Sequence, residues 1–447
     1  MIVMASVLVR MGTQHYLVEC NGVDNDITQS VLSGTSYGLA KENRYRMYER
    51  EVAWEKYYPF KHKVSMSHKS KKEKITSSFK ANTRLIGQIY DCIKSNISLW
   101  TGENLLFYYY WVELGRNYEY AVSWSLINPE RKVACIGEGF WFGIKQRSNQ
   151  MERANSINDL SKFIHNRGGR FLYVQAPGKV NKYGDSSVNG VVDFSNQNAD
   201  ELLNLLNEQG VETLDLRESL HTCSDGSDAA WHSFFFRTDH HWKPETALLS
   251  AKILSDKIKD YGIPVDDTFY SSNSFRIDII PNFFLGSSGK KITLARTKPD
   301  DFPILYPLFP TKLHFFVPSL NMNTVGDFSI TYNKQEFDII DHYGIYGRSP
   351  YSGYGYARRP VEYIDNMLLP ATSKKILIIR DSFASPVGPF LALGVRHIAM
   401  VCPTFFTGSI RAFIEEYNPD LVIMMYYVGN LSGQIKWKTH KDNFDFR

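Results

Sequence analysis

Arg237–Trp242 reads RTDHHW and Asp381–Ala384 reads DSFA, and the two segments between them hold the parts of a serine-centred reaction. A serine hydroxyl is a weak nucleophile at neutral pH. It needs an adjacent base, and an imidazole held by a carboxylate is one. In an extended segment, residues two apart point to the same side, so Asp239 and His241 are expected to share a face while His240 turns the other way. Ser382 is then the nucleophile, His241 the base that removes its proton, and Asp239 the group that holds the imidazole. Two other readings stay open at this point. Asp381 or Ser382 can simply cap a helix. Asp239 with the two histidines can ligate a metal, although side chains at successive strand positions diverge and no cysteine or further HxH pair completes a ligand set. The expectation is a site with no metal and no cofactor.

The elements around both segments favour a common location. Phe171 to Val174 is an apolar run ending in Ala176-Pro177-Gly178-Lys179, and Val211 to Leu216, Lys375 to Ile379, His397 to Val401 and Leu421 to Met425 are further strand candidates. Helices are expected between them. One is capped by Ser156 and ends at Gly168-Gly169, one spans Asp200 to Glu208, and one opens at Lys243-Pro244, where proline suits a first turn. Others cover Pro389 to Leu393 and Ser409 to Tyr417. Strands alternating with helices imply an α/β fold with a mostly parallel sheet covered on both faces. Such sheets gather active groups beyond the carboxyl ends of their strands. Ser382 lies there, near backbone N–H groups such as that of Phe383 and the positive end of a helix dipole, which favour an oxyanion. From about 265 to 370 the alternation breaks into a Pro-, Gly-, Tyr- and Asn-rich insertion with short β pieces such as Lys312 to Val317. Residues 1 to 125 read as an arm or cap, and 126 to 447 as the α/β domain.

Other residues are candidates for contact with substrate. Lys179 and Tyr183 follow a strand end, where a surface turn is the simpler reading. Asp341 to Tyr346 (DHYGIY) places Tyr343, Tyr346 and the backbone of Gly344 in a loop that can line a cleft or offer an oxyanion donor. Arg237 either pairs with a nearby carboxylate or holds an anionic sugar. Asn430 lies just beyond the last strand.

Asp239-His240-His241-Trp242 before a helix, with the later strand-Asp-Ser-Phe-Ala segment, resembles the DHHW family of bacterial proteins. That family is similar to the SGNH-hydrolase-like domains of alginate O-acetylation proteins. The likeness runs from about residue 40 to 447. It takes in Glu42-Asn43-Arg44, Tyr58-Pro59-Phe60-Lys61, Gly137 to Phe142 (GEGFWF), Ala176-Pro177 with Lys179, and Lys298-Pro299-Asp300-Asp301. It implies a three-layer α/β/α sandwich and an extracytoplasmic site at the bacterial cell envelope. The reaction implied is transfer of an acetyl group to, or its removal from, a surface polysaccharide, with a membrane acyl donor as partner. It also implies the permuted order in which the Asp-x-His pair precedes the serine, and Asp239, His241 and Ser382 occupy those positions. Arg380 stands where the familiar Gly-Asp-Ser element has its glycine, which puts the oxyanion hole in question. A glycan-binding or assembly factor with a vestigial triad is the alternative.

Composition narrows the classes. Of 447 residues, 43% are hydrophobic and 22% charged, the balance of a folded globular chain. Basic and acidic residues number 51 and 47, so charge gives no argument for nucleic acid. The one strongly basic run, Lys61 to Lys74, has no interleaved aromatics and reads as a solvated face or a membrane-surface patch. Aromatics reach 14%, which suits both cores and sugar-stacking surfaces. The five cysteines show no CxxC spacing. Cys135 and Cys402 are expected as buried thiols, and a bridge among Cys20, Cys92 and Cys223 stays open. The start, MIVMASVLV, is short for a signal peptide and reads as a strand or as the end of a longer apolar segment.

Overall fold

A computed structural model describes residues 127–447 apart from 129–132, 137–138, 185–186, 189–190, 339–343, 372–373, 433–442 and 447. The N-terminal arm, its basic run, the aromatic stretch Leu105 to Val112, Cys20, Cys92 and Tyr343 lie outside the described residues.

The chain first forms a small antiparallel sheet of β1 (Ile127–Asn128), β2 (Val133–Cys135) and β3 (Trp141–Gly143). Helix α1 (Met151–His165) and strand β4 (Arg170–Ala176) follow, then α2 (Ser195–Glu208), β5 (Thr213–Asp215), α3 (Leu216–Thr222), α4 (Asp228–Ser233) and α5 (Pro244–Lys259). Next come the hairpin β6 (Phe275–Phe284) and β7 (Asp300–Pro307), with α6 (Ser287–Ile292) between its strands. Strands β8 (Leu313–Val317), β9 (Met322–Gly326), β10 (Val361–Asn366) and β11 (Lys375–Arg380) precede α7 (Ala384–Leu391). Strand β12 (His397–Val401), α8 (Ile410–Tyr417) and β13 (Leu421–Tyr427) complete the domain.

The central sheet has eight strands in the order β9-β8-β10-β12-β11-β13-β4-β5. The run from β12 to β5 is parallel throughout, while β9, β8 and β10 add to it antiparallel. The strand KILIIR shows why both faces are covered. Ile376 and Ile378 join one core with α3, α5 and α7, and Leu377 and Ile379 join another with α1, α2 and α8. That is period-two alternation with both faces apolar, the pattern of a parallel sheet between helical layers. The fold is a mixed α/β/α sandwich with a mostly parallel sheet.

Boundaries shift in three places for local reasons. Ser156 lies inside α1, where its hydroxyl donates to the Phe444 carbonyl, and the helix starts five residues earlier after Gln150. The strand expected over Val211 to Leu216 shortens to β5 because Asp215 accepts from the Arg217 amide and caps α3. Helix α7 begins at Ala384, well before Pro389, and so starts directly behind Ser382. Within residues 265–370, three strands extend the main sheet and two form the β6/β7 hairpin. Cys402 is a buried free thiol and Cys223 an exposed one, while Cys135 is half-buried.

Candidate active site

Strand β11 ends at Arg380, so Ser382 stands at the carboxyl end of a central parallel strand. The RTDHHW segment reaches it as a closed loop rather than as a strand. A bridge pairs Phe235 with Trp242, the Phe236 amide donates to the His241 carbonyl, and the Lys243 amide donates to the Phe234 carbonyl. Trp242 is fully buried and packs on Phe383, with ring centroids 5.2 Å apart. The aromatic closing the loop therefore also touches the turn that carries the serine.

Within the loop, Asp239 and His241 meet through a tight local turn. The Asp239 Oδ1 atom accepts from the His241 amide at 3.0 Å and from His241 Nδ1–H at 2.5 Å. This carboxylate-to-amide contact two residues on is an Asx turn, and it replaces the strand alternation expected from sequence. The correction extends to His240. It does not turn away: its ring lies 3.8 Å from that of His241, partly exposed, with Nδ1 3.0 Å from the Ser287 hydroxyl. On the far side of the imidazole, His241 Nε2 lies 2.8 Å from Ser382 Oγ. With Nδ1–H committed to Asp239, Nε2 is the acceptor and the serine hydroxyl the donor. The structure thus joins Asp239, His241 and Ser382 in one hydrogen-bonded chain.

Electrostatics suit that chain. Burial opposes ionisation of Asp239, but the adjacent His240 and His241 rings and the hydrogen bonds from His241 and the Ser287 amide outweigh it. They hold the carboxyl well below its usual range. Loss of hydration first, and then the neighbouring His241, push the part-exposed His240 ring well below the ordinary imidazole value. The Tyr351 ring stacks on His241 at 3.8 Å and 16°, closing one face of the base.

Each half of the site hangs on a further buried carboxylate. Asp300 accepts from the Arg237 amide at 2.9 Å and from the Thr238 amide and hydroxyl at 2.8 and 2.6 Å. Asp381 accepts from the Phe383 amide at 2.8 Å, the Tyr427 amide at 2.7 Å and the Asn430 side chain at 2.6 Å. Burial raises the Asp381 carboxyl. Gly286 is required by space: a Cβ there would meet the Asp239 Cβ at 2.2 Å. None of Asp300, Ser287, Gly286 and Tyr351 stood out as a site residue in the sequence. Asp300 was visible only as part of the LysProAspAsp motif, and the others carry no local signal.

The remaining candidates are placed differently from expectation. Lys179 is not in a surface turn. It is buried, its ammonium donates to the carbonyls of Trp141 (2.5 Å) and Arg237 (2.7 Å), and burial lowers it to about 7. It ties strand β3 to the RTDHHW loop and has no face toward a cleft. Arg237 is part-exposed, its guanidinium 3.4 Å from Asp300. The Phe383 amide, considered as an oxyanion donor, is committed to Asp381. Gly344 is exposed with a left-handed backbone, and no contact among the described residues joins it to Ser382. The Tyr346 hydroxyl accepts from the Leu294 amide, just past α6. Arg380 points into the core and is fully buried.

A metal is the other chemistry this cluster offers, since one ligand atom each from Asp239, His240 and His241 lies within 4.8 Å of the others. Both Asp239 oxygens are already bonded, one to His241 Nδ1–H and one to the Ser287 amide. An ion here would have to displace the bond that orients the imidazole. The donor set fits a serine–histidine–aspartate chain better than a metal centre.

Residues 143–268, which include Asp239 and His241, match a family model described as the SGNH hydrolase-like domain of the acetyltransferase AlgX. The whole fold is similar to that of Bacillus cereus PatB1 with a sulfonyl adduct, at TM-score 0.56 and 18% identity over 70% of this chain and 98% of that one. Over residues 143–268 this chain is similar to an SGNH hydrolase-like domain. Looser likenesses are to a DHHW family protein from Eubacterium siraeum (TM-score 0.46, 16% identity, 66% and 89% of the two chains) and to the O-acetyltransferase domain of Pseudomonas putida AlgJ (0.38, 10%, 69% and 95%). No curated protein matches the sequence. Along this chain the aspartate and histidine precede the serine.

Proposed function

We propose that the site is a serine acyl-transfer centre that moves an acetyl group onto a hydroxyl of a bacterial cell-surface polysaccharide. The observation that carries this is the continuous chain Asp239 Oδ1···His241 Nδ1 and His241 Nε2···Ser382 Oγ, at 2.5 and 2.8 Å. Ser382 Oγ attacks the acetyl carbonyl of an ester donor while its proton passes to His241 Nε2. The tetrahedral intermediate collapses, the ester C–O bond breaks, and the leaving alkoxide takes that proton, leaving an acetyl-serine. A sugar hydroxyl then gives its proton to His241 and attacks the same carbonyl; the bond from that carbonyl to Ser382 Oγ breaks, and the serine oxygen takes the proton back from His241 Nε2. Asp239 stays ionised throughout and stabilises the imidazolium formed in each half.

With water as acceptor the same steps hydrolyse the ester. Transfer therefore requires a sugar hydroxyl held closer to the acyl-serine than water. The match of residues 143–268 to a domain described as that of an acetyltransferase supports the acetyl group as cargo, and the sequence resemblance to alginate O-acetylation proteins supports a polysaccharide as acceptor. The same likeness supports placement at the cell envelope and an acyl donor delivered by a membrane partner. No described helix is long and apolar enough to cross a membrane.

The test is covalent labelling. A sulfonyl fluoride should add stoichiometrically to Ser382, read by mass spectrometry of the modified peptide, and should block hydrolysis of an activated acetyl ester. Ser382→Ala should lose both the adduct and the esterase rate, by at least about 10³-fold. Unimpaired turnover in that variant would rule the reading out.

A further inference from the structure

Arg380 is fully buried although it adjoins the nucleophile turn. Its guanidinium makes four hydrogen bonds from one planar head. Nη1 donates to the Ser385 hydroxyl at 2.9 Å and to the Asp381 carbonyl at 3.4 Å, while Nη2 donates to Glu362 Oε1 at 2.5 Å and to the Ala357 carbonyl at 3.1 Å. The first pair grips the turn on both sides of Ser382. The second pair fixes that grip to strand β10 and to the segment Gly355–Ala357. Within the turn itself, the Ser385 amide donates to the Ser382 carbonyl.

The rear anchor has an unusual backbone. Gly355, Tyr356 and Ala357 are three consecutive left-handed residues, with φ of 59°, 52° and 68°. For the two non-glycine residues that conformation is disfavoured, and it persists only where the surroundings impose it. Gly355 cannot be enlarged, since a Cβ there would meet the Ser385 carbonyl oxygen at 2.8 Å. The left-handed turn thus lies directly against the nucleophile turn, and Arg380 bonds both. Nor does the ion pair explain the arrangement by its energy. Arg380 and Glu362 are both without exposed surface, and a buried pair of this kind is often no more stabilising than apolar residues of the same volume.

We propose that Arg380 is a positioning residue for the nucleophile, bracketing the Ser382 turn from behind and holding it in register with His241 through Glu362 and the left-handed Gly355–Ala357 turn. The arginine that replaces the glycine of the familiar Gly-Asp-Ser element supports the serine from the core side, away from the imidazole. A lysine has no planar fork and cannot make both pairs of bonds at once. This inference rests on the acyl-transfer reading of the site.

The decisive variant replaces the pair with apolar residues, Arg380→Met with Glu362→Leu, which removes the bracket without leaving a lone buried charge. Thermal unfolding should show a folded protein. Sulfonylation of Ser382 and kcat on an activated acetyl ester should fall about 10- to 100-fold, as expected for a nucleophile displaced by up to an ångström, with KM little changed. A folded double variant that reacts at the wild-type rate overturns the role. If the double variant does not fold, Ser385→Ala decides instead. It deletes one arm of the bracket, and should lower the labelling rate severalfold with the unfolding temperature retained; an unchanged rate overturns the role. Absence of labelling in the wild-type protein would sink the acyl-transfer reading itself, a separate outcome from equal labelling of variant and wild type. In that case amide hydrogen exchange over Asp381–Ser385 still tests the bracket, which predicts faster exchange in the variants and is refuted by identical protection.

Discussion

The Arg237–Trp242 loop and the Asp381–Ser385 turn each hang on one buried carboxylate, yet they are held in different ways. Asp300 lies in β7 and gathers the amides of Arg237 and Thr238 from 62 or 63 residues away, aided by a threonine hydroxyl. Asp381 belongs to its own turn, accepts the Phe383 amide locally, and stitches the turn to Tyr427 and Asn430 at the end of the neighbouring strand β13. The histidine half is thus fixed from outside by a hairpin, and the serine half by the sheet beneath it. Irregular backbone leaves N–H groups that need acceptors, and a buried carboxylate can satisfy several at once. The difference teaches that the base rides on a replaceable support, whereas the nucleophile is built into the parallel core.

The largest effect expected on the histidine half comes from Asp239→Asn. The amide retains the shape but no longer selects the Nδ1–H tautomer, so sulfonylation of Ser382 and ester turnover should drop by about 10⁴-fold. The same change has a pH signature. The Asp239 carboxyl is held well below its ordinary value. A depressed folded-state value means a contribution to stability that is present above the unfolded carboxylate pKa of about 3.9 and is lost as pH falls through the lower folded value. Acid titrations of unfolding should show the wild-type advantage over Asp239→Asn shrinking below about pH 4. An advantage that held constant down to the lowest pH would mean that the carboxylate is not the group stabilised here.

Next in size is a matched pair that tests the comparison directly, Asp381→Asn against Asp300→Asn. Either amide turns an NH₂ toward a backbone N–H, leaving a buried donor unsatisfied at about 1–3 kcal/mol. At Asp300 the Thr238 hydroxyl can relax toward the Phe284 carbonyl 3.2 Å away, which offsets part of the loss. At Asp381 the Phe383 and Tyr427 amides are backbone donors on opposite oxygens, so either orientation of the new amide leaves one of them unsatisfied. Denaturant midpoints should therefore show Asp381→Asn as the more destabilised by roughly 1 kcal/mol. Equal losses, or the reverse order, would break the distinction between a replaceable support and a built-in one.

How much of this could be read beforehand follows the range of the interactions. The alternation of strand and helix was legible because apolar runs such as KILII and HIAMV are local signals, and so was the order of Asp239, His241 and Ser382. What positions them was not. Asp300 and Gly286 act on the RTDHHW loop from 48 to 63 residues away, and nothing near them marks the pairing. Tyr351 is one tyrosine among 27 until folding stacks it on His241. Period-two alternation predicts Asp239 and His241 on one side and His240 on the other, whereas the aspartate makes an Asx turn that brings His241 to it and leaves the His240 ring beside that of His241. Arg380 stood out as a departure from a motif. Its hydrogen bonds to Glu362, Ala357 and Ser385 depend on β10 and the left-handed turn, which one-dimensional pattern does not convey.

The smallest effect separates the loop's backbone from the part-exposed side chain of Arg237. Arg237 holds Asp300 chiefly through its amide, at 2.9 Å, while its guanidinium is part-exposed and 3.4 Å from the same oxygen. A surface ion pair of that kind contributes about 0–1 kcal/mol. Arg237→Ala keeps the amide, so its denaturant midpoint should move by less than about 1 kcal/mol and its rate of Ser382 sulfonylation should match the wild type. If the guanidinium instead meets an anionic sugar at the rim, the same variant should show a raised KM for an acidic polysaccharide and an unchanged KM for a neutral one. A parallel fall in the sulfonylation rate would give a third result, that the side chain and not the amide holds the histidine loop, and the hairpin's grip would then be weaker than its hydrogen bonds imply.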